Sequence, residues 1–87
     1  MHAVGRASTN TPIFVNIAYN GNPDSQEYVA FIGKGVVFDS GGLDIKGAVG
    51  MKEMYLDKHG AVSVFSAFKT LVEEKAKINL TVSMGYV

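Results

Sequence analysis

The chain has 87 residues, 47% of them hydrophobic, which suits one small packed domain or part of a larger one and excludes a disordered chain. Eight basic residues balance eight acidic ones and cysteine is absent, so a basic nucleic-acid-binding surface, disulfides and cysteine-based zinc sites are excluded. No apolar run approaches the roughly 20 residues of a membrane span, and the N-terminus lacks a signal-peptide core, so we expect a soluble, cytoplasmic protein with neither a membrane nor a nucleic-acid partner.

The first part of the chain predicts a loop and two strands. Residues 1–11 are small and polar and are typical of a loop. Residues 13–19 are rich in β-branched and aromatic side chains and predict a strand. Residues 20–24 form a turn-rich cluster, and a second strand is expected at about residues 28–33. Two strands joined in this way favour an antiparallel hairpin.

Glycine dominates the middle of the chain. Residues 33–60 contain seven of the ten glycines. Such a segment is not typical of a regular element, and we interpret residues 33–50 as a tightly folded loop that brings the backbone close to another group.

The last part of the chain predicts a helix and a strand. Residues 61–75 carry apolar side chains at helical spacing, with Val64, Phe68 and Leu71 expected in the core together with Phe65. Residues 78–84 alternate apolar and polar side chains, as a strand does. The order strand, strand, glycine-rich loop, helix, strand predicts an α/β fold with a mixed sheet. Such a sheet leaves a face and two edges uncovered, so we expect a fragment of a larger α/β/α sandwich.

Three familiar motifs do not fit the glycine-rich loop. Lys34 is followed by Gly35, whereas a P-loop needs Ser or Thr at that position. The third glycine of a dinucleotide-binding fingerprint is replaced by Phe38. Ser40 does not lie in a nucleophile elbow, and the chain has only two histidines to support a serine triad.

Lysines and aspartates in and after this loop carry the chemical signal. Asp39 and Asp57 can offer carboxylate oxygens to a divalent ion, although isolated loop aspartates are more often turn caps. Residues 34–46 follow the pattern KGxxFDSGGxxxK, and residues 54–60 follow MxxDxxG. Both patterns together resemble the metal-binding core of the leucyl aminopeptidase (cytosol aminopeptidase) family. Weaker similarity covers the rest of the chain, so the resemblance implies that residues 1–87 are part of that family's C-terminal catalytic domain.

The resemblance implies a role for each of five residues. Lys34 is expected to ligate a readily exchanged metal ion, Asp39 to bridge two ions, and Asp57 to bind the tightly held one. Lys46 is expected to be catalytic, polarising the peptide carbonyl and stabilising the gem-diolate that forms from it. Met54 is expected to line the pocket for the first side chain of the substrate. The expected substrate-binding group comprises all five residues.

The resemblance also implies the cofactors and partners. They are two zinc ions, or zinc with manganese or magnesium, a peptide with a leucine-like N-terminal residue, and a homo-hexamer of the full-length protein. The residue types suit this chemistry, because two ions can activate a water molecule and hold the substrate. A lysine amine ligates a metal only after losing its proton, which a nearby dication favours, whereas Lys46 must keep its charge to stabilise an oxyanion.

The chain departs from the family pattern in two respects. The downstream Asp-x-Glu-x-Arg segment of the family is absent, so we expect the isolated chain to be inactive. His59 stands where glycine is usual, and Lys58 where methionine is common. The alternative is therefore an aminopeptidase relative used as a structural or assembly component with reduced chemistry.

Simpler readings of single residues also stay open. Lys34 and Lys46 can be ordinary surface lysines, and Met54 can be a core filler. His59 is interpreted as a helix-start or surface residue. Asp44 and Glu53 are interpreted as solvated residues.

Overall fold

The computed structural model describes residues 1–87 as a three-stranded mixed sheet with one long helix. The strands are β1 (Ile13–Asn20), β2 (Val29–Gly35) and β3 (Asn79–Tyr86). The helices are α1 (His2–Gly5), α2 (Ala48–Lys52) and α3 (His59–Glu73), and Met54–Leu56 form one 3-10 turn. None of the helices combines the length and the apolar character that crossing a membrane requires.

The central strand of the sheet is β3, which runs antiparallel to β1 and parallel to β2. The predicted hairpin between β1 and β2 is therefore wrong. Leu80 and Val82 of β3 are fully buried, and no residue of β3 is exposed, whereas β1 is exposed at every second position. This burial is what a central strand, hydrogen-bonded along both edges, is expected to have. β2, by contrast, carries the exposed Lys34, which an edge strand tolerates.

One buried amide holds the loop that crosses from β1 to β2. The Asn79 side chain accepts a hydrogen bond from the Asn22 N–H at 3.0 Å. Its amide group donates to the carbonyl oxygens of Asn22 at 2.8 Å and Ser25 at 3.1 Å. These bonds satisfy backbone groups of the loop that a hairpin turn would satisfy by itself. The turn-rich cluster therefore forms a crossover instead of a hairpin.

Helix α3 covers one face of the sheet. It begins and ends two residues earlier than predicted, and Phe68 and Ala61 are buried against β3 as the helical spacing requires. Val64 and Leu71 are half-buried against the same core. Phe65, however, is 42% exposed, so its predicted place in the core is wrong: it lies on the flank of the buried stripe.

The opposite face of the sheet carries exposed apolar side chains, including Phe14 and Ile32. Two smaller predictions also change. Residues 1–11 include the short helix α1, and the glycine-rich segment 33–50 contributes its first residues to β2 and its last to α2. The predicted α/β class and mixed sheet are confirmed, with α3 as a helical layer.

The C-terminus of α3 places a lysine where glycine is preferred. Lys75 has φ 52°, and the N–H groups of Lys75 and Ala76 donate to the carbonyls of Val72 and Leu71 in a Schellman arrangement. We expect Lys75→Gly to raise the free energy of unfolding by about 0.5 kcal/mol, because the left-handed penalty of roughly 1 kcal/mol exceeds the entropic cost of glycine. Urea unfolding measures this change. Lys77→Gly, at an ordinary φ, is the control and is expected to lower stability.

Candidate active site

The end of β2 and the turn before α3 bring a lysine and an aspartate together. Lys34 is the penultimate residue of β2, and Asp57 follows the 3-10 turn immediately before α3. The Lys34 Nζ atom lies 3.1 Å from Asp57 Oδ2. The Lys34 side chain is 65% exposed and that of Asp57 32% exposed, so both groups are open to solvent and to a ligand.

The second pair forms within the glycine-rich loop. The Gly41 N–H donates to Asp39 Oδ1 at 3.1 Å, and the Lys46 N–H donates to the Ser40 carbonyl at 2.9 Å. Gly41 has φ +98°, a conformation that L side chains rarely adopt, and this turn folds the loop back on itself. As a result the Lys46 Nζ atom contacts the Asp39 carboxylate.

The electrostatics of Asp39 link the two pairs. The hydrogen bond from Lys46 is the largest effect that holds the pKa of Asp39 below its usual value of 3.8. The hydrogen bond from Gly41 and the charges of Lys46 and Lys34 act in the same direction, while partial desolvation opposes them. Asp39 is therefore ionised at neutral pH and lies within the field of both lysines.

The lowered pKa of Asp39 leads to a titration prediction. In metal-free protein, the Asp39 carboxyl is expected to titrate below 3.8, and Lys46→Ala is expected to raise that pKa toward its usual value. The ion pair stabilises the fold above the unfolded-state pKa, and this contribution is lost as the pH falls through the folded-state value. Carboxyl ¹³C shifts followed against pH measure it. An unchanged Asp39 titration in Lys46→Ala would contradict the pairing.

An open cleft connects three of the five predicted residues. Lys46, Met54 and Asp57 line it, with Met54 only 7% exposed. Its other lining residues were given no functional role from the sequence: Val49, Gly50, Glu53 and Leu56. Glu53, interpreted as a solvated residue, is exposed and also lies on the cleft. Its place on the cleft could have been predicted from the sequence, because Glu53 directly precedes Met54.

The Lys34 nitrogen and the Asp57 oxygen are spaced as two ligands of a divalent ion would be, but they do not form a complete site. Two ligands at about 2.1 Å from one ion, with an angle of about 90° to 109° between them, lie about 3.0 to 3.4 Å apart. The 3.1 Å separation of Lys34 Nζ and Asp57 Oδ2 falls in this range. However, no three acidic or histidine side chains of the chain come together, so these residues alone do not complete a metal site.

The structure thus places Lys34 with Asp57 and Asp39 with Lys46, while Met54 lies beside Lys46 and Asp57 in the cleft. Their metal-binding and catalytic roles stay predictions. His59 is the first residue of α3 and is exposed, as its interpretation as a helix-start residue expects. Two close contacts of α3 with β2, made by Gly33 and Gly60, were not predicted, because no local pattern in the sequence shows which backbones meet.

Comparison with known proteins gives one consistent result. The model of the "Cytosol aminopeptidase family, catalytic domain" matches residues 1–87. A protein of Phytoplasma mali described as "Probable cytosol aminopeptidase" is 44% identical over 86 residues, which are 98% of this chain and 17% of that protein. A Pseudomonas fluorescens protein with the same description is 42% identical over 79 residues, which are 91% of this chain and 16% of that protein.

A solved structure supports the same assignment. The leucine aminopeptidase of Caenorhabditis elegans is 38% identical, with a TM-score of 0.88 over 97% of this chain and 17% of that one. The chain thus spans about a sixth of the length of the relatives it matches. Because the family model and these relatives cover nearly every residue of the chain, it belongs to the cytosol aminopeptidase family.

Proposed function

We propose that the protein containing these residues is a metal-dependent aminopeptidase that removes N-terminal residues, preferentially leucine, from peptides. Residues 1–87 are then part of its catalytic domain. The main supporting observation is the Lys34–Asp57 contact at 3.1 Å, with the Asp39–Lys46 pair close enough for the Lys34 charge to help lower the pKa of Asp39. The exposed apolar sheet face, with Phe14 and Ile32, supports a larger domain whose remaining parts cover it.

In this proposal Lys34, Asp39 and Asp57 hold two divalent ions, zinc at both positions or zinc with manganese or magnesium. The ions, when bound, supply Lewis-acid polarisation and a nucleophilic water at neutral pH. Asp39 contributes a carboxylate that is ionised throughout the neutral range, because its pKa is lowered. Further ligands are expected from outside these residues, since only two carboxylates take part here.

Lys46 and Met54 act on the substrate. Lys46 places its ammonium group at the cleft, where it stabilises the negative charge that develops on the peptide carbonyl oxygen. Asp39 holds the Lys46 ammonium through their contact, so the charge is in place before the substrate arrives. Met54 is buried at the cleft and offers a flexible apolar surface to a leucine side chain.

The hydrolysis of leucine 4-nitroanilide by the full-length protein, with added manganese or zinc, tests the proposal. N-acetyl-leucine 4-nitroanilide is the matched control, because an aminopeptidase needs the free amine. We expect hydrolysis of the first compound alone, and its loss on chelation of the metal. A full-length protein that is folded, metal-free and inactive would favour the structural or assembly component instead.

Two further expectations concern the whole protein. We propose a cytoplasmic location, which the description of the cytosol aminopeptidase family supports, and a homo-hexamer, which the family resemblance implies. The isolated chain is expected to be inactive, because it supplies only part of the metal ligands and exposes a sheet face. Activity of the isolated chain would show that its residues form a complete site.

A further inference from the structure

The crossing of α3 over β2 depends on small residues. A Cβ atom added at Gly33 would lie 2.6 Å from the Ala61 Cα atom and 2.9 Å from the Ala61 nitrogen. Real Cβ atoms do not approach backbone atoms this closely, and Ala61 is fully buried. Any larger residue at position 33 must therefore push α3 away from β2.

Gly60 makes a second, milder contact at the same crossing. A Cβ atom there would lie 3.1 Å from the Lys34 nitrogen and 3.2 Å from the Lys34 carbonyl oxygen. This distance is tight but not forbidden, so alanine at position 60 requires a shift of a few tenths of an ångström. The contacting atoms are strand backbone, which yields less than the end of a flexible side chain.

Both contacts lie next to the candidate metal ligands. Gly33 directly precedes Lys34 in β2, and Asp57 lies just before the first turn of α3. The Lys34 side chain is 65% exposed, so packing does not hold its Nζ atom in place. The separation of the two backbones therefore sets the distance that the flexible Lys34 side chain has to span to reach the Asp57 carboxylate.

We propose that Gly33, Gly60 and Ala61 are positioning residues that fix the separation of β2 and α3, so that Lys34 and Asp57, 3.1 Å apart, can bind one ion rather than the two separate ions that the resemblance implies. This inference rests on the proposed two-metal function. It makes Gly60 part of the geometry of the site, beyond its place in the sequence pattern. Gly33 lies outside that pattern altogether.

Zinc binding by the full-length protein tests the inference. The variants are Gly33→Ala and Gly60→Ala, with Gly47→Ala as the matched control. Gly47 has open space around its added Cβ atom, and its φ of −71° suits alanine. The readouts are the zinc Kd, measured by competition with a chelating dye, and the Tm of the metal-free protein.

We expect Gly60→Ala to raise the zinc Kd about tenfold or more, Gly33→Ala to raise it further, and Gly47→Ala to leave it unchanged. Alanine is the better helix former, so Gly60→Ala is expected to weaken zinc binding with little loss of Tm. A weaker zinc affinity at an unchanged Tm distinguishes a positioning role of Gly60 from a general loss of structure. If Gly33→Ala does not fold, Gly60→Ala decides the question by itself.

Wild-type zinc affinity in folded Gly60→Ala would overturn the inference while leaving the proposed function intact. A fall in Tm with no change in the zinc Kd would do the same, since it shows a structural role alone. A wild-type protein that binds no zinc would instead contradict the proposed function, and the inference with it. The zinc Kd of the wild-type protein therefore distinguishes failure of this inference from failure of the proposed function.

Discussion

Replacing Lys46 by alanine in the full-length protein is expected to reduce kcat by about 10²–10³-fold while leaving the metal content nearly unchanged. Lys46 lies on the cleft and contacts the Asp39 carboxylate, but its own role is to place a positive charge where the oxyanion develops. Removing that charge affects the transition state more than the ground state, so KM is expected to change less than kcat. Leucine-anilide kinetics and metal analysis of the purified variant measure both effects.

Lys52→Ala is the matched control for the loss of a lysine. Lys52 is an exposed residue at the end of α2 and does not line the cleft. We expect wild-type kcat and metal content for this variant. A parallel loss of metal and activity in Lys46→Ala would contradict the account, because it would make Lys46 a support for metal binding rather than a catalytic group.

The second large effect is expected at Asp57. Asp57→Ala removes one of two carboxylates that the chain offers to the ions, and it is expected to weaken metal binding by at least about 100-fold and abolish activity. The same change also removes the negative charge that attracts a cation to this place, 3.1 Å from the Lys34 Nζ atom. Metal content after dialysis and the leucine-anilide rate measure these effects.

Asp44→Ala controls for the loss of an acidic residue. Asp44 lies in the glycine-rich loop, is exposed and makes no salt bridge. It is expected to keep its metal and its activity. An Asp57→Ala protein that retains metal at the wild-type level would remove Asp57 from the ligand set.

The sequence predicted the individual elements better than their arrangement. The apolar spacing of α3 and the alternation of β3 are local signals, and both elements form within two residues of the expected bounds. The order of the strands is not local. It depends on which strand is hydrogen-bonded along both edges. The turn cluster after β1 favoured a hairpin, whereas in the structure Asn79 of β3 holds this segment as a crossover.

The residues of the candidate site were predicted from the two sequence patterns that resemble the family. The contacts between those residues were predicted only in part. The family resemblance grouped Lys34, Asp39 and Asp57 as metal ligands. The structure places the side chains of Lys34 and Asp57 in contact, while Asp39 contacts Lys46. The pairing of Asp39 with Lys46 depends on the positive φ of Gly41 and the turn around it, which residue types alone do not specify. The close contacts at Gly33 and Gly60 depend on tertiary packing in the same way.

The central claim is that Lys34, Asp39 and Asp57 ligate two metal ions. Anomalous diffraction at the zinc edge, from crystals of the full-length protein grown with zinc, tests it most directly. We predict two peaks, with ligand atoms of Asp57 and Asp39 at about 2.0–2.2 Å and the Lys34 Nζ atom bound to one ion. Well-ordered crystals with zinc bound elsewhere, and with Lys34 still paired directly to Asp57, would contradict the account.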